Sequence, residues 1–194
     1  MKIKQLALEI TQVCQQMVTS PKLFWQDKQE NGIRHTAASS LYIFAVLLSS
    51  ISAFLGNLMW SKAFLWSYAI GLSVRELIAN ILVWMLASFI IKKLANNYAA
   101  KVESGTVSGV LALSLLPAIV VSIIAHLFPG LYPLHILGLY GFYLFYQGAN
   151  CCFNIPKENI SRYVLLALVL IILISGLTYS LTWIVFKEIF PHGI

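Results

Sequence analysis

The chain has 194 residues, 59% hydrophobic and 10% charged, with 13 lysines and arginines against 7 acidic residues and a net charge of +6. A soluble domain carries about a quarter charged residues, so this composition and a mean hydropathy of +0.81 exclude a chain that faces water all round. The basic residues stand at the ends of long apolar blocks with no dense run among them, which marks them as topology signals beside membrane spans and argues against nucleic acid as a partner.

The first 35 residues are polar and amphipathic, and no cleavable signal peptide is expected among them. Ile3, Leu6, Ile10, Val13 and Met17 recur at spacings of three and four, opposite Gln5, Glu9, Gln12 and Gln16. That pattern predicts an amphipathic helix ending at Ser20-Pro21. The stripe suits either the inner leaflet, helped by Lys2, Lys4 and Lys22, or a docked cytosolic partner or second subunit; the membrane-surface reading is favoured. A short apolar cluster, Leu23-Phe24-Trp25, follows the proline.

Residues 37–56 carry no charge and match the roughly 20 residues that cross a hydrocarbon core. A second apolar block runs over 72–91, with Arg75 and Glu76 near its start and Lys92-Lys93 just past its end. The charge-free stretch from Ser104 to Pro156 is too long for one helix. Phe128-Pro129-Gly130-Leu131-Tyr132-Pro133 breaks it, because proline removes a backbone donor and glycine permits tight turning. Spans are therefore predicted over 107–127 and 134–149, followed by a fifth over 163–186. The fold class is all-α: a polytopic membrane protein with a cytoplasmic amphipathic segment, 1–35, and a five-helix transmembrane domain, 36–194.

Lysine and arginine counts set the orientation. The N-terminal region (Lys2, Lys4, Lys22, Lys28, Arg34), the second loop (Lys92, Lys93, Lys101) and the fourth loop (Lys157, Arg162) together hold ten, against three (Lys62, Arg75, Lys187) on the other side. The bias predicts a cytoplasmic N-terminus and an external C-terminus. Trp60, Trp66, Tyr68, Tyr132, Tyr179 and Trp183 gather on the external side as an aromatic belt.

Arg75, Glu76 and Asn80 form the candidate intramembrane polar site, since Glu76 and Asn80 are four residues apart on one helix face. Two readings compete: an ion, proton or substrate site, or interfacial anchors that snorkel to water, the second being favoured. His126, His135 and His192 fall toward the external side, but no tight spacing links them, and no metal is expected. Cys14, Cys151 and Cys152 suggest no disulfide framework. Gly138, Gly141 and Gly148 form a small-residue strip on the fourth span, and Tyr140, Tyr143 and Tyr146 bring hydroxyls that want partners in a bundle. Pro117 frees the carbonyl of Leu113 midway along the third span. No catalytic or nucleotide motif is present, so neither an enzyme nor a cofactor is expected.

The order of motifs is familiar. Ser20-Pro21-Lys22-Leu23-Phe24-Trp25 precedes the spans. Leu115-Leu116-Pro117 and Phe128-Pro129-Gly130-Leu131 then lead to Tyr143-Leu144-Phe145-Tyr146-Gln147-Gly148 and Phe153-Asn154-Ile155-Pro156-Lys157-Glu158-Asn159. This arrangement resembles the Yip (Ypt-interacting protein) family, in particular its bacterial inner-membrane members. Eukaryotic relatives bind small GTPases and associate with one another in membranes. Here Gly138-Leu139-Tyr140-Gly141 lacks the Asp and Pro of their Asp-Leu-Tyr-Gly-Pro motif, which argues against a small GTPase partner. The resemblance implies a non-enzymatic membrane scaffold or interaction protein of the bacterial inner membrane. Lipid would surround it, with another copy or another membrane protein as partner. A small transporter or channel subunit using Arg75, Glu76 and Asn80 is the alternative.

Overall fold

The computed structural model describes residues 12, 15–30, 35–61, 65–98 and 102–190. Among them only helices and their connections occur. Helices α1 (Pro21–Glu30), α2 (His35–Trp60), α3 (Trp66–Asn97) and α4 (Ser104–Leu127) lead into a 3-10 segment (Pro129–Leu139), then α5 (Tyr140–Cys152) and α6 (Lys157–Ile189).

Four of these helices are long and apolar enough to cross a membrane: Thr36–Trp60, Trp66–Asn97, Ser104–Leu127 and Lys157–Ile189. Each coincides with a predicted span and extends past it, because the helix continues into the polar flanks after the apolar run has ended. The predicted 134–149 span is divided instead. Its first six residues belong to the 3-10 segment, which has Pro129 at its start and Pro133 inside, and only 13 residues wind as α5. Pro129 and Pro133 each lack the amide donor that a regular α-helical ladder would use there, and Gly130 between them loosens the backbone.

The most extensive packing is between α2 and α4. Helix α3 lies against α2, the 3-10 segment and α5 lie against α4, and α6 packs on α3. Helix α1 packs on α5, so the segment preceding the spans shares their core. Met17 and Trp25 are fully buried, as are Phe145, Phe153 and Tyr163. Edge-on contacts link the last three, with ring centroids 6.3 Å apart for Phe145–Phe153 and 6.1 Å for Phe153–Tyr163. Met17 thus points into the chain's own bundle and is unavailable to lipid or a partner. Ile3, Leu6, Ile10 and Val13 lie outside the described residues. Along α6, Leu165, Ile172, Leu173, Leu177, Leu181 and Ile184 are exposed, a face that only lipid or another apolar surface can cover.

Glycines set how closely these helices approach. A Cβ on Gly56 would collide with the backbone carbonyl of His126, and one on Gly141 with that of Ser114. A Cβ on Gly148 would sit 2.9 Å from both Trp25 and Val110, and one on Gly138 3.3 Å from Ala118. The glycine strip is therefore consumed inside the chain, against α4 and Trp25, and does not form a free face for a second copy.

Candidate functional site

The predicted polar residues of α3 meet side chains from α2 and α6. Glu76 and Asn80 are 6% and 5% exposed, turned into the bundle one helical turn apart. The Asn80 amide donates to Glu76 Oε1 and to the Glu76 carbonyl, both at 2.9 Å. From α6, the Tyr179 hydroxyl donates to Asn80 Oδ1 at 3.0 Å and lies 3.5 Å from Glu76 Oε1. From α2, the buried Tyr42 hydroxyl donates to the Asn80 carbonyl at 3.2 Å. Asn80 thus joins three helices, its side chain bonding within α3 and to α6 and its main-chain carbonyl accepting from α2. In an apolar surround this satisfies groups that would otherwise cost several kcal/mol each, roughly, if left unpaired.

Arg75 faces another way. Its guanidinium carbon stands 4.8 Å from the Trp183 ring centre and 5.8 Å from that of Tyr179, and its buried Nε has no hydrogen-bond partner. Among the described residues it forms no ion pair, so the rings of α6 are what hold the charge.

Glu76 and Arg75 both line a cavity of about 400 Å³ whose other walls include Asn57, Trp60, His126 and Tyr132. His126 Nδ1 lies 3.3 Å from Ser52 Oγ, and the Trp60 indole donates to the Leu127 carbonyl at 2.8 Å. A reciprocal pair of bonds, Ser50 Oγ to the Ser73 carbonyl (2.7 Å) and Ser73 Oγ to the Ser50 carbonyl (2.8 Å), clasps α2 to α3 beside it. His135 bonds elsewhere, with Nδ1 2.9 Å from the Tyr132 carbonyl, so the two histidines do not act on one point. Among the described residues no three His, Cys, Asp or Glu side chains gather as metal ligands.

The remaining candidate residues serve packing or face outward. The Tyr140 hydroxyl donates to the Met17 carbonyl at 2.8 Å, pinning the N-terminal segment to the start of α5. Tyr143 and Tyr146 are exposed. Pro117 is half-buried within α4, three residues past the Ser114 carbonyl that meets Gly141, and Pro156 is the exposed N-cap of α6. Cys151 and Cys152 are free thiols.

Tyr42 and Gly56 carry no local signal in the sequence. Tyr179 and Trp183 resemble members of an interfacial belt, yet they complete the polar cluster. Their signal is the helical spacing of Ser175, Thr178, Tyr179, Thr182 and Trp183, opposite the exposed Leu177, Leu181 and Ile184.

An all-helical chain with four apolar spanning helices and ionisable side chains turned into the bundle is a multi-pass membrane protein. The chain matches the Yip1 domain over residues 16–179, from Gln16 beside the buried Met17 to Tyr179 of the polar cluster, and it belongs to that family. No curated protein and no solved structure matches it.

Proposed function

We propose that this is a non-enzymatic Yip-type protein of the bacterial inner membrane that works as a scaffold or interaction platform. The observation that carries the reading is the junction between the N-terminal segment and the spans. Met17 and Trp25 are fully buried and Tyr140 holds the Met17 carbonyl, while Val18 and Leu23 on the same segment are each 66% exposed. A rigidly mounted, partly apolar element at the membrane face is suited to present a surface to another protein or to a second copy. In this reading the N-terminus is cytoplasmic and the C-terminus external. The 3-10 segment and α5 make the fifth crossing together, since 11 residues at about 2.0 Å and 13 at about 1.5 Å extend roughly 40 Å. Photocrosslinking in cells from Leu23 and from Tyr143 tests it. Repeated capture of one protein, or of this chain itself, supports the scaffold; capture of lipid alone at both positions counts against it.

A second reading, a small transporter or channel subunit, is favoured by the cavity that brings Glu76, Arg75 and His126 together. Under it, Glu76→Gln changes a measurable ion or solute flux in proteoliposomes. An unchanged flux leaves the cluster with a structural role only.

A further inference from the structure

At the opposite end of α3 a groove of about 600 Å³ opens between α3 and α4. Trp84, Met85 and Phe89 form its apolar part, and Lys92, Lys93, Asn96 and Ser104 form its polar part. Helical spacing puts Met85, Phe89, Lys92 and Asn96 along one face, and the rise of the helix spreads them over about 17 Å. The apolar side chains fall toward the middle of the span and the amines and amide at its end. The groove is therefore graded in depth as a bilayer leaflet is graded, oily within and charged at the rim.

The charges at the rim are not spent inside the protein. Among the described residues the Lys92 amine bonds to Ser104 Oγ, and the Lys93 amine lies 4.5 Å from the centre of the Phe89 ring. Neither pairs with an acidic side chain among the described residues. Glu103, the acid next to the groove in sequence, is the exposed N-cap of α4 and makes no capping bond. The first-turn amides behind Ser104 thereby add their partial positive charge to the mouth. Within the groove the buried Ser88 Oγ has no partner. Met85 and Phe89 are each 58% exposed, so an apolar wall stands open beside two unneutralised amines.

The occupant must be apolar in depth and anionic at the rim, and must reach the groove sideways from between two spanning helices. We propose that the groove binds an anionic phospholipid of the adjoining leaflet. Its phosphate lies between Lys92, Lys93 and Asn96, and one acyl chain lies along Trp84, Met85 and Phe89. A wholly apolar helix from another protein would cover Met85 and Phe89 but leave the amines without a counter-charge. Charge complementarity selects the lipid.

The test uses the full-length protein extracted from nanodiscs that contain equal phosphatidylglycerol and phosphatidylcholine, with retained lipid counted by native mass spectrometry. Two lysines at an anionic surface predict a preference for phosphatidylglycerol of roughly 30-fold. Lys92→Gln with Lys93→Gln should bring that preference to within about twofold of unity, and the paired arginine variant should keep it. Equal retention of the two lipids by the wild-type protein would overturn the proposal without appeal to any variant. So would an unchanged preference in the glutamine variant, or full displacement of phosphatidylglycerol by millimolar inorganic phosphate, which would reduce the site to a simple anion contact.

Discussion

The two ends of α3 handle polar groups in opposite ways. At the Arg75 end a carboxylate and an amide are buried and bonded to each other, with a phenol from α6 and another from α2 completing the set. At the Lys92 end the interior is closed by Tyr163, whose hydroxyl donates to the Ile91 carbonyl at 3.3 Å, with Phe153 packed against its ring, and the amines stay on the surface. Both arrangements follow one tendency: a polar group that leaves water usually finds a partner, and the Arg75 Nε and the Ser88 Oγ are exceptions, one at each end. What separates them is where the partner comes from. Asn80 can satisfy Glu76 because they share a helix face, and Tyr179 can satisfy Asn80 because α6 packs there. Among the described residues Lys92 bonds to Ser104, a neutral acceptor, and keeps its charge for another group. The Arg75 end should thus respond to mutation in stability, and the Lys92 face in what it binds.

The junction of α1 with α5 should be the most sensitive point of all. Trp25 is completely buried, 5.1 Å edge-on to Phe24 and pressed against Gly148. Trp25→Ala removes the largest buried side chain and leaves a cavity between α1 and α5, which should cost about 3–5 kcal/mol in thermal or denaturant unfolding. A loss under about 1 kcal/mol would mean that the N-terminal segment is not part of the core in the membrane. Gly56→Val comes next. The added methyls must displace the His126 backbone carbonyl, and overpacking of this kind costs about 1–3 kcal/mol. Because the strain falls on the α2–α4 pair, it should also disturb the cavity that His126 lines, visible as altered quenching of Trp60.

Within the polar cluster, Tyr179→Phe keeps the ring beside Arg75 and deletes the bond to Asn80 Oδ1. Hydrogen bonds between membrane helices are worth about 0.6 kcal/mol on average, so a loss of that order is expected. A larger loss would show that the bonds from Tyr42, Asn80 and Tyr179 act as one cooperative unit, which a double cycle with Tyr42→Phe would measure.

These contrasts were only partly legible in the sequence. Charge-free runs marked three of the long helices, and an apolar block with Arg75 and Glu76 near its start marked α3, because about 20 mostly apolar residues have few other destinations. That Glu76 and Asn80 share a helix face followed from spacing, but the favoured expectation of interfacial anchors reaching water did not foresee their burial in the bundle. Their partners did not follow from spacing either, because Tyr42 and Tyr179 arrive from 38 and 99 residues away from Asn80, through packing that no local pattern encodes. Pro129 and Pro133 announced a break, but not that the chain after it would wind as a 3-10 segment before α5. The glycine strip was visible as a packing surface. Its partner, α4 of the same chain, became apparent only once the Ser114 carbonyl and Val110 were seen against it.

The smallest expected effect completes the comparison. Lys92→Gln with Lys93→Gln removes two surface amines whose contacts are a neutral hydroxyl and an aromatic face. The Lys92 bond joins α3 to the first residue of α4 but lies at the surface, and the Lys93 contact stays within α3, so in detergent free of anionic lipid the unfolding free energy should change by no more than about 0.5 kcal/mol. Adding phosphatidylglycerol should then raise the melting temperature of the wild-type protein and leave that of the variant where it was, because a ligand stabilises only the form that binds it. A variant already destabilised without lipid would place the lysines with Glu76 and Asn80, as internal supports. A variant that matches the wild type until lipid is added would show that one helix carries a structural polar cluster at one end and a binding surface at the other.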